Sequence, residues 1–429
     1  MLKKFLTLIA GGAAVLTIAA CSDNLDAGTA CPLLCPQQAS TLKDTTIDAV
    51  VFDSTVVGLP PIGAENFLML ASHGDTLDTR AIVRFDTLPQ SFTGPNSIDS
   101  VITHLDSAIL VVPIAKPDSA HRPRFAITVE AYNVDSTPPD SVTLPTDTVS
   151  AVLASLFRPG RLLGSKTFAP ESLLDTLRMP ISTDSVLTRV LGGKRLRVGF
   201  RLVANPGYHI TIGTTQNGRP VTLRMVASKD TASRPVVVSP LSSTPKGQDF
   251  LSGPLADYSI VVKGGTGQSP FAIGLGGVPS RRTLLRFSIP SRIVDSTTIV
   301  RAALIMTQKP NRGVASRDSI TVFPSAVLAQ SSVTDVRSLL QFVSAQGAFG
   351  LDTLRLAPGD SGQVSFQIGS LVRTWKQNSV AISPREIALR SQGEGGLPGE
   401  IDFFSVEATP SVRPRLRLTY APQTSLGLP

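Results

Sequence analysis

The sequence predicts an all-β protein, and three observations carry this prediction. Short apolar or alternating segments recur from Ile47 onwards, among them Ala81–Phe85 and Phe125–Val129. Turn-forming residues, mainly Pro, Gly, Asp and Ser, separate these segments. The region from 47 to 422 is longer than a single sandwich usually is. Many short strands with frequent turns are typical of sandwiches or barrels, and the length predicts two domains, so we expect two tandem β-sandwiches.

Residues 1–21 have the pattern of a bacterial lipoprotein signal peptide. Lys3 and Lys4 precede an apolar run that ends in small residues before Cys21. A basic start, an apolar middle and small residues before the cut define a secretory signal. An uncleaved membrane helix is the alternative, but the run is shorter than the roughly 20 residues that span a bilayer. We therefore expect cleavage before Cys21 and a lipid on its thiol, which would anchor the protein in a membrane.

Residues 22–46 are polar and small, without a sustained hydrophobic period, and predict a flexible tether. Ser22 follows Cys21 where an Asp would favour the inner membrane, so the outer membrane is expected. Cys31 and Cys35 lie in this tether, and an exported protein could join them in a small disulfide loop. Unpaired thiols are the alternative, whereas a metal site would need further ligands that the tether does not supply.

We predict a first β-sandwich at 47–240, a linker at 241–247, a second β-sandwich at 248–422 and a tail at 423–429. Self-similar segments that keep their order support the two sandwiches and indicate a tandem duplication, although one of the matches could be chance. The matches are 80–85 with 282–287, 108–111 with 302–305, 127–129 with 320–322, 174–178 with 351–355, and 234–238 with 413–417. Apolar spacing of three and four predicts two short helices, Val149–Phe157 and Val333–Val343.

The segments around Arg80–Phe85 and Arg282–Phe287 resemble bacterial DNRLRE-domain proteins, which carry an Arg-x-Leu-Leu-Arg-Phe-Asp-like strand followed by an Ala-x-Leu strand. Gly369–Trp375 and Arg413–Tyr420 look like the family's aromatic turn and closing strand. The first half departs from this pattern, because Val190 or Leu191 stands where Trp is expected and no closing Tyr follows. The resemblance implies jelly-roll-like sandwiches on exported proteins, some of them similar to carbohydrate-binding modules for acidic polysaccharides such as alginate.

Two pairs of arginines are the candidate ligand-binding residues. Side chains two apart on a strand share a face, so Arg80 lies beside Arg84, and Arg282 beside Arg286. Such pairs could bind the carboxylates of an acidic glycan bidentately. The alternative is that each arginine pairs with a nearby Asp or covers the sheet with its aliphatic stem. Trp375 follows two apolar residues at core-like spacing, which favours packing over a sugar platform.

No catalytic residue, metal ligand or cofactor is predicted. Gly359–Gly362 resembles the nucleophile loop of trypsin-like proteases, but Gln363 follows it and no histidine has the sequence setting of that family. The segment also suits an ordinary turn. The four histidines lie far apart in the chain and have no zincin spacing: His73, His104, His121 and His209.

These observations support three hypotheses about function. The first is a non-catalytic, lipid-anchored envelope or cell-surface protein that binds glycan or matrix. The second is a structural subunit that contacts other envelope proteins, and the third an exported hydrolase with an unrecognised site. The net charge of +8, which falls to +6 without Lys3 and Lys4, is mildly basic. It leaves an acidic polysaccharide, a lipid head group or the envelope open as partners, but a charge of this size is ordinary for 429 residues. Export argues against nucleic acid as a partner.

Overall fold

A computed structural model describes most of the chain downstream of the predicted tether. The described residues are 42–59, 63–94, 97–115, 117, 121–135, 152–227, 234–242, 255–264, 270–327, 329, 333–344, 353–377 and 385–422. They fold mainly into antiparallel strands, which confirms the predicted all-β sandwich class.

The strands are mostly short. Some alternate between buried and more exposed residues, as expected for a sheet with one face in a core, whereas others are buried along nearly their whole length. In chain order they are β1 (Lys43–Ile47), β2 (Val50–Val57), β3 (Phe67–His73), β4 (Leu77–Phe85), β5 (Ser91–Thr93), β6 (Asp99–Val101), β7 (Ser107–Pro113), β8 (Ile127–Asn133), β9 (Leu162–Phe168), β10 (Thr176–Pro180), β11 (Leu196–Val203), β12 (Tyr208–Gly213), β13 (Thr222–Val226), β14 (Val236–Val238), β15 (Asp257–Lys263), β16 (Ala272–Gly276), β17 (Arg281–Phe287), β18 (Thr297–Lys309), β19 (Ile320–Val327), β20 (Leu354–Leu356), β21 (Gly362–Gln367), β22 (Glu386–Ser391), β23 (Glu400–Phe404) and β24 (Arg415–Pro422).

Helices connect some of these strands. They are α1 (Thr183–Leu191), α2 (Ser291–Val294), α3 (Val336–Ser344) and α4 (Gly369–Gln377), with 3₁₀ turns at Pro159–Arg161 and Pro170–Ser172.

The first sandwich has a five-stranded sheet in the order β15-β4-β11-β8-β9 and a four-stranded sheet in the order β10-β7-β13-β14. The pair β12-β3 joins the first sheet through β4. One hydrophobic core takes side chains from both sheets, including Val83 and Phe200 from one and Leu110 and Leu223 from the other. Burial of these apolar faces is the main stabilising contribution to such a fold.

The second sandwich repeats this arrangement. One group of strands has the order β2-β17-β22-β19-β20, and another has the order β1-β24-β18-β21. The pair β16-β23 connects the two groups into one continuous sheet. A separate hydrophobic core includes Leu285 and Ile387 from the first group and Leu304, Phe366 and Leu416 from the second.

The two sandwiches exchange their first strands. β1 and β2 come first in the chain, yet they pair with β24 and β17 of the second sandwich. β14 and β15 occupy the equivalent positions in the first sandwich, where they pair with β13 and β4. In the chain they follow β13 and directly precede β16, the next strand of the second sandwich. The chain therefore contains two similar repeats, β1–β13 and β14–β24, each of which gives its first two strands to the other.

This pairing crosses the predicted domain boundaries in both directions. β1 begins at Lys43, inside the segment predicted as tether (22–46). β2 lies within the range predicted for the first sandwich but pairs with β17 of the second. β15 lies within the range predicted for the second sandwich but pairs with β4 of the first. The division at 47–240 and 248–422 stays a prediction for the domains, and it does not describe the strand pairing.

Three of the five matched segment pairs lie on equivalent strands: β4 with β17, β7 with β18 and β8 with β19. The other two differ. Leu174–Arg178 leads into β10, which pairs with β7, whereas Leu351–Arg355 leads into β20, which pairs with β19. Likewise 234–238 contains the edge strand β14, while 413–417 leads into β24, whose equivalent by pairing is β13. These two matches therefore do not lie on equivalent strands and do not support the duplication.

The helices follow the sequence only in part. α3 lies within one residue of the predicted Val333–Val343 at its C-terminal end and starts three residues later. The predicted Val149–Phe157 falls partly outside the described residues, and 152–154 are helical. α1 and α4 are additional helices that occupy equivalent places, between β10 and β11 and between β21 and β22. Ser182 caps α1 by accepting a hydrogen bond from the backbone N–H of Ser185.

The predicted signal peptide, Cys21, Cys31, Cys35, most of the tether and the tail lie outside the described residues, so their assignments stay predictions. Within the described part of the chain, no helix is long and apolar enough to cross a membrane.

Candidate functional site

The candidate arginines of the first sandwich are engaged in ion pairs inside the protein. Arg84 has no exposed side-chain surface, and its Nη2 lies 2.6 Å from Oδ2 of Asp86, which is also fully buried. Arg197 lies directly opposite Arg84 in the β4–β11 pair, with its Nε 3.6 Å from Asp86. Arg80 donates to Asp78 at 2.8 Å and lies over the ring of Phe157. Both candidate arginines therefore lie beside an acidic side chain of the protein, and Arg84 shares its acid with Arg197.

The second sandwich shows the same behaviour. Arg282 is fully buried and donates to Glu394 at 2.5 Å, while Arg390 donates to the other oxygen of Glu394. Arg286 donates to Glu386, the residue directly opposite it on β22, and its guanidinium lies over the exposed ring of Phe52. About a third of the Arg286 side chain is exposed, more than for the other three.

The arginines therefore match the alternative in which each pairs with a nearby acid. The two arginines of each sandwich share one face of their strand, as the alternation predicts. In the first sandwich the segment between β8 and β9 covers that face: Ile82, between Arg80 and Arg84, packs in one cluster with Leu153 and Phe157. An external glycan would not reach the fully buried Arg84 or Arg282 without an opening of the fold.

A cleft at the edge of the first sandwich is the more accessible candidate site. It lies between the β5–β6 hairpin and the start of β14 and has a volume of about 650 Å³. That volume falls within the range of roughly 300–1,000 Å³ typical of small-ligand sites. Its lining combines hydroxyl groups, one aromatic ring and one guanidinium: Ser91, Phe92, Thr93, Gly94, Ser97, Arg234, Pro235 and Val236. Arg234 is exposed, and Phe92 packs against the core.

A second site brings together three of the four histidines, which the sequence places far apart. His209 on β12 lies beside Ala71 of β3, so His73, two residues along β3, is its diagonal neighbour on the same face. Their ring centroids are 5.8 Å apart. His121 comes from the loop before β8, and Tyr208 donates a hydrogen bond to its carbonyl oxygen at 2.8 Å. We call these three residues the histidine cluster.

Asp318 of the second sandwich faces the histidine cluster. It lies in the turn before β19, with Oδ1 2.9 Å from Nε2 of His121 and Oδ2 3.8 Å from Nε2 of His209. Other contacts join the sandwiches nearby: Thr211 donates to the carbonyl oxygen of Gly396 at 3.3 Å. The Asp318 carboxylate therefore links the second sandwich to the histidines of the first.

Burial keeps two of these histidines neutral. The pKa of His209 falls to about 4, because burial disfavours the charged ring and because His73 and His121 would repel a positive charge. Burial also lowers the pKa of His73. The Nε2 atom of His73 is buried and has no hydrogen-bond partner among the described residues.

The cluster is not arranged for metal binding or for hydrolysis. Among the described residues, no three His, Cys, Asp or Glu side chains are placed to hold a metal ion. Within the described part of the chain, the carboxylate of Asp318 alone meets the histidines, whereas the hydrolase hypothesis calls for a histidine and two converging carboxylates. Gly359–Gly362 forms the turn between β20 and β21, in which the backbone N–H of Asp360 donates to the carbonyl oxygen of Ala357. Gly359–Gly362 is therefore a turn, as the alternative interpretation of its sequence predicts.

Buried carboxyl groups form a further feature that the sequence does not reveal. Burial raises the pKa of Glu65 to about 8 and that of Asp257 to about 6. Both accept backbone N–H groups, from Ser259 and Thr215 respectively. Glu65 lies in the connection from β2 to β3 and Asp257 starts β15, so the fold brings these two acids together from distant parts of the chain.

Comparison with protein-family models and with curated proteins gives no match. Solved structures give distant similarities to viral capsid proteins. The structure of the Macrobrachium rosenbergii nodavirus is 9% identical, with 91% of this chain and 92% of that chain covered and a TM-score of 0.16. The infectious bursal disease virus VP2 subviral particle is 8% identical, with 88% and 77% covered and a TM-score of 0.12. Such low TM-scores do not establish a shared fold.

Proposed function

We propose that this protein is a non-catalytic, lipid-anchored protein of the bacterial envelope that binds a glycan, with acidic polysaccharide as the expected class. The observation that carries the binding proposal is the cleft between the β5–β6 hairpin and β14. Its volume of about 650 Å³ suits a few sugar units, and its hydroxyls can exchange hydrogen bonds with sugar hydroxyls. Arg234 would supply a bidentate donor for a uronate carboxylate.

The anchoring part of the proposal depends on the first 21 residues. Lys3, Lys4, the apolar run and the small residues before Cys21 form the signal pattern. Lipid on Cys21 would hold the protein at the membrane, and the polar residues that follow would hold the sandwiches away from it. The outer membrane is the expected location, as the residue after Cys21 is Ser22.

The binding proposal is tested with the mature chain carrying C21S, which removes the lipid. We expect it to bind acidic polysaccharides on a glycan array, with affinity that decreases as salt increases. R234A should lower the affinity at least about 10-fold, which corresponds to 1.4 kcal/mol. R178A is the matched control, because Arg178 is an exposed arginine on β10, at the opposite edge of the same sheet. Binding that R234A leaves unchanged would exclude the cleft, and no binding to any acidic glycan would exclude the function.

The anchoring proposal has its own test. Mass spectrometry of the mature N-terminal peptide should find diacylglycerol on Cys21, and protease treatment of whole cells should show which membrane face carries the sandwiches. An intact, unacylated N-terminus would contradict it.

A protein partner is the second candidate function, and one observation favours it. Apolar side chains beside the cleft are largely exposed: Ile98 and Val101 near β6 and Val237 on β14. Exposed apolar groups at one sheet edge are typical of contact surfaces when they are contiguous. A photo-crosslinking residue placed at position 237 would identify such a partner in cells, and V101D should abolish that crosslink while it leaves glycan binding in place.

A further inference from the structure

The histidine cluster and Asp318 lie where the two sandwiches meet. His73, His121 and His209 all belong to the first sandwich, and Asp318 belongs to the second. At the same junction, an apolar cluster contains Met69, Ala71 and Leu77 of the first sandwich and Val278 of the second. The polar contact and this apolar contact together form a continuous junction.

The charge balance of this junction depends on protonation. With neutral rings, the His121 Nε2–H can donate to Asp318, and His209 and His73 add no charge. With protonated rings, three cations surround one carboxylate, and the two ring centroids of His73 and His209 are only 5.8 Å apart. Like charges at such a distance in a partly buried site repel one another, and each buried charge also loses solvation.

The groups that face His209 come from four places in the fold. They are His73 on β3, the adjacent Tyr208 on β12, His121 in the loop before β8 and Asp318 before β19. Asp318 already receives the His121 contact at 2.9 Å, and it lies farther from His209, at 3.8 Å. One carboxylate cannot compensate two further positive rings.

We propose that the histidine cluster and Asp318 form an acid-sensitive latch between the two sandwiches, closed when the histidines are neutral and opened when His209 and His73 gain protons. The low pKa of His209, about 4, agrees with this role. Since the folded pKa lies below the ordinary 6.5, the open or unfolded protein binds more protons between these values. The closed form therefore loses stability as the pH falls from about 6.5 to 4.

Two variants and a control test the latch in the full mature chain. H209Q and H73Q keep a polar group but cannot gain a charge, so the thermal midpoint of each should fall less than that of the wild type between about pH 7 and pH 4.5. H104Q is the control, because His104 also pairs with an aspartate, Asp106 at 3.1 Å, but is exposed and lies within one sandwich. H104Q should follow the wild-type pH dependence.

Two direct measurements complete the test. Imidazole NMR should show His209 neutral at pH 5.5 and half-protonated near pH 4. Small-angle X-ray scattering should show a radius of gyration that increases as the pH falls from 5.5 to 4 in the wild type but not in the H73Q/H209Q double variant. A His209 ring that is charged at pH 6, or equal pH dependence in H209Q and wild type, would overturn the proposal. So would a Zn²⁺-induced rise of the wild-type midpoint that H209Q lacks, because the cluster would then be a metal site.

Discussion

Asp53 on β2 and Asp257 on β15 occupy the same position in the two sandwiches. Asp53 lies opposite Leu285 and Asp257 opposite Val83, which are equivalent residues of β17 and β4. Each carboxylate accepts the backbone N–H of the residue two places after a strand end, from Val406 at 2.7 Å and from Thr215 at 2.8 Å. Burial raises both pKa values to about 6. The equivalence supports exchange of the first strands between two related repeats.

D257N should change the pH dependence of stability. The folded pKa of Asp257 is raised above its ordinary 3.8, so the folded state holds the proton more tightly than the unfolded state. The contribution of this proton to stability is therefore lost as the pH rises through about 6. The thermal midpoint of D257N minus that of the wild type should increase between about pH 4.5 and pH 7.5. D53N should show the same sign.

D44N is the matched control for these variants. The hydrogen bond from Arg417 lowers the pKa of Asp44, which is an exposed group on β1. The difference between D44N and wild type should therefore stay flat or decrease with rising pH. A flat difference for D257N as well would mean that its carboxyl is not desolvated in the folded protein.

Replacing Asp86 by Leu should destabilise the first sandwich severely. The buried guanidinium groups of Arg84 and Arg197, which lie opposite each other, would both lose the carboxylate that they share and keep their charges in a poorly solvated site. Loss of one partner of a buried pair typically costs about 3–5 kcal/mol. R413L should cost under about 1 kcal/mol, because the Arg413–Asp48 pair is partly exposed to solvent. Urea unfolding midpoints measure both, and equal effects would show that the Arg84 pair is solvated.

Deleting residues 42–59 should damage the second sandwich rather than the first. The deletion removes β1 and β2, which pair with β24 and β17 along most of their lengths. Limited proteolysis should then cleave between residues 270 and 422, while the segment 67–263 stays resistant. A synthetic 42–59 peptide added in trans should restore protection. Faster cleavage within 67–263 would place the two strands in the first sandwich.

The sequence allows the strands to be predicted but not their partners. Alternation in Arg80–Phe85 and Arg282–Phe287 identifies β4 and β17 and the faces of their arginines. The alternation does not say that β15 pairs with β4 and β2 with β17, because pairing between segments far apart in the chain leaves no local signal. For the same reason the burial of Arg84 and Arg282 could not be foreseen.

The sequence contains local helix signals for α1, although this helix was not among the predicted ones. α1 starts after the capping residue Ser182 and buries Val186 and Val190, four residues apart. These are ordinary helix signals, outweighed by the surrounding strand pattern. The histidine cluster had none, since His121 and Asp318 lie in loops whose positions depend on the packing of both sandwiches. The cleft beside Arg234 likewise forms only when the β5–β6 hairpin meets β14.

Disulfide trapping decides whether the first strands are exchanged. In a chain whose three cysteines, Cys21, Cys31 and Cys35, are replaced by Ser, the pairs T55C/T283C and A81C/S259C place thiols on directly opposed residues. Opposed residues in antiparallel strands are close enough for a disulfide. Both variants should oxidise within one chain and migrate as monomers. The pairs T55C/A81C and S259C/T283C would be opposed only if each repeat kept its own strands, so disulfides in these variants, and free thiols in the first two, would contradict the exchange.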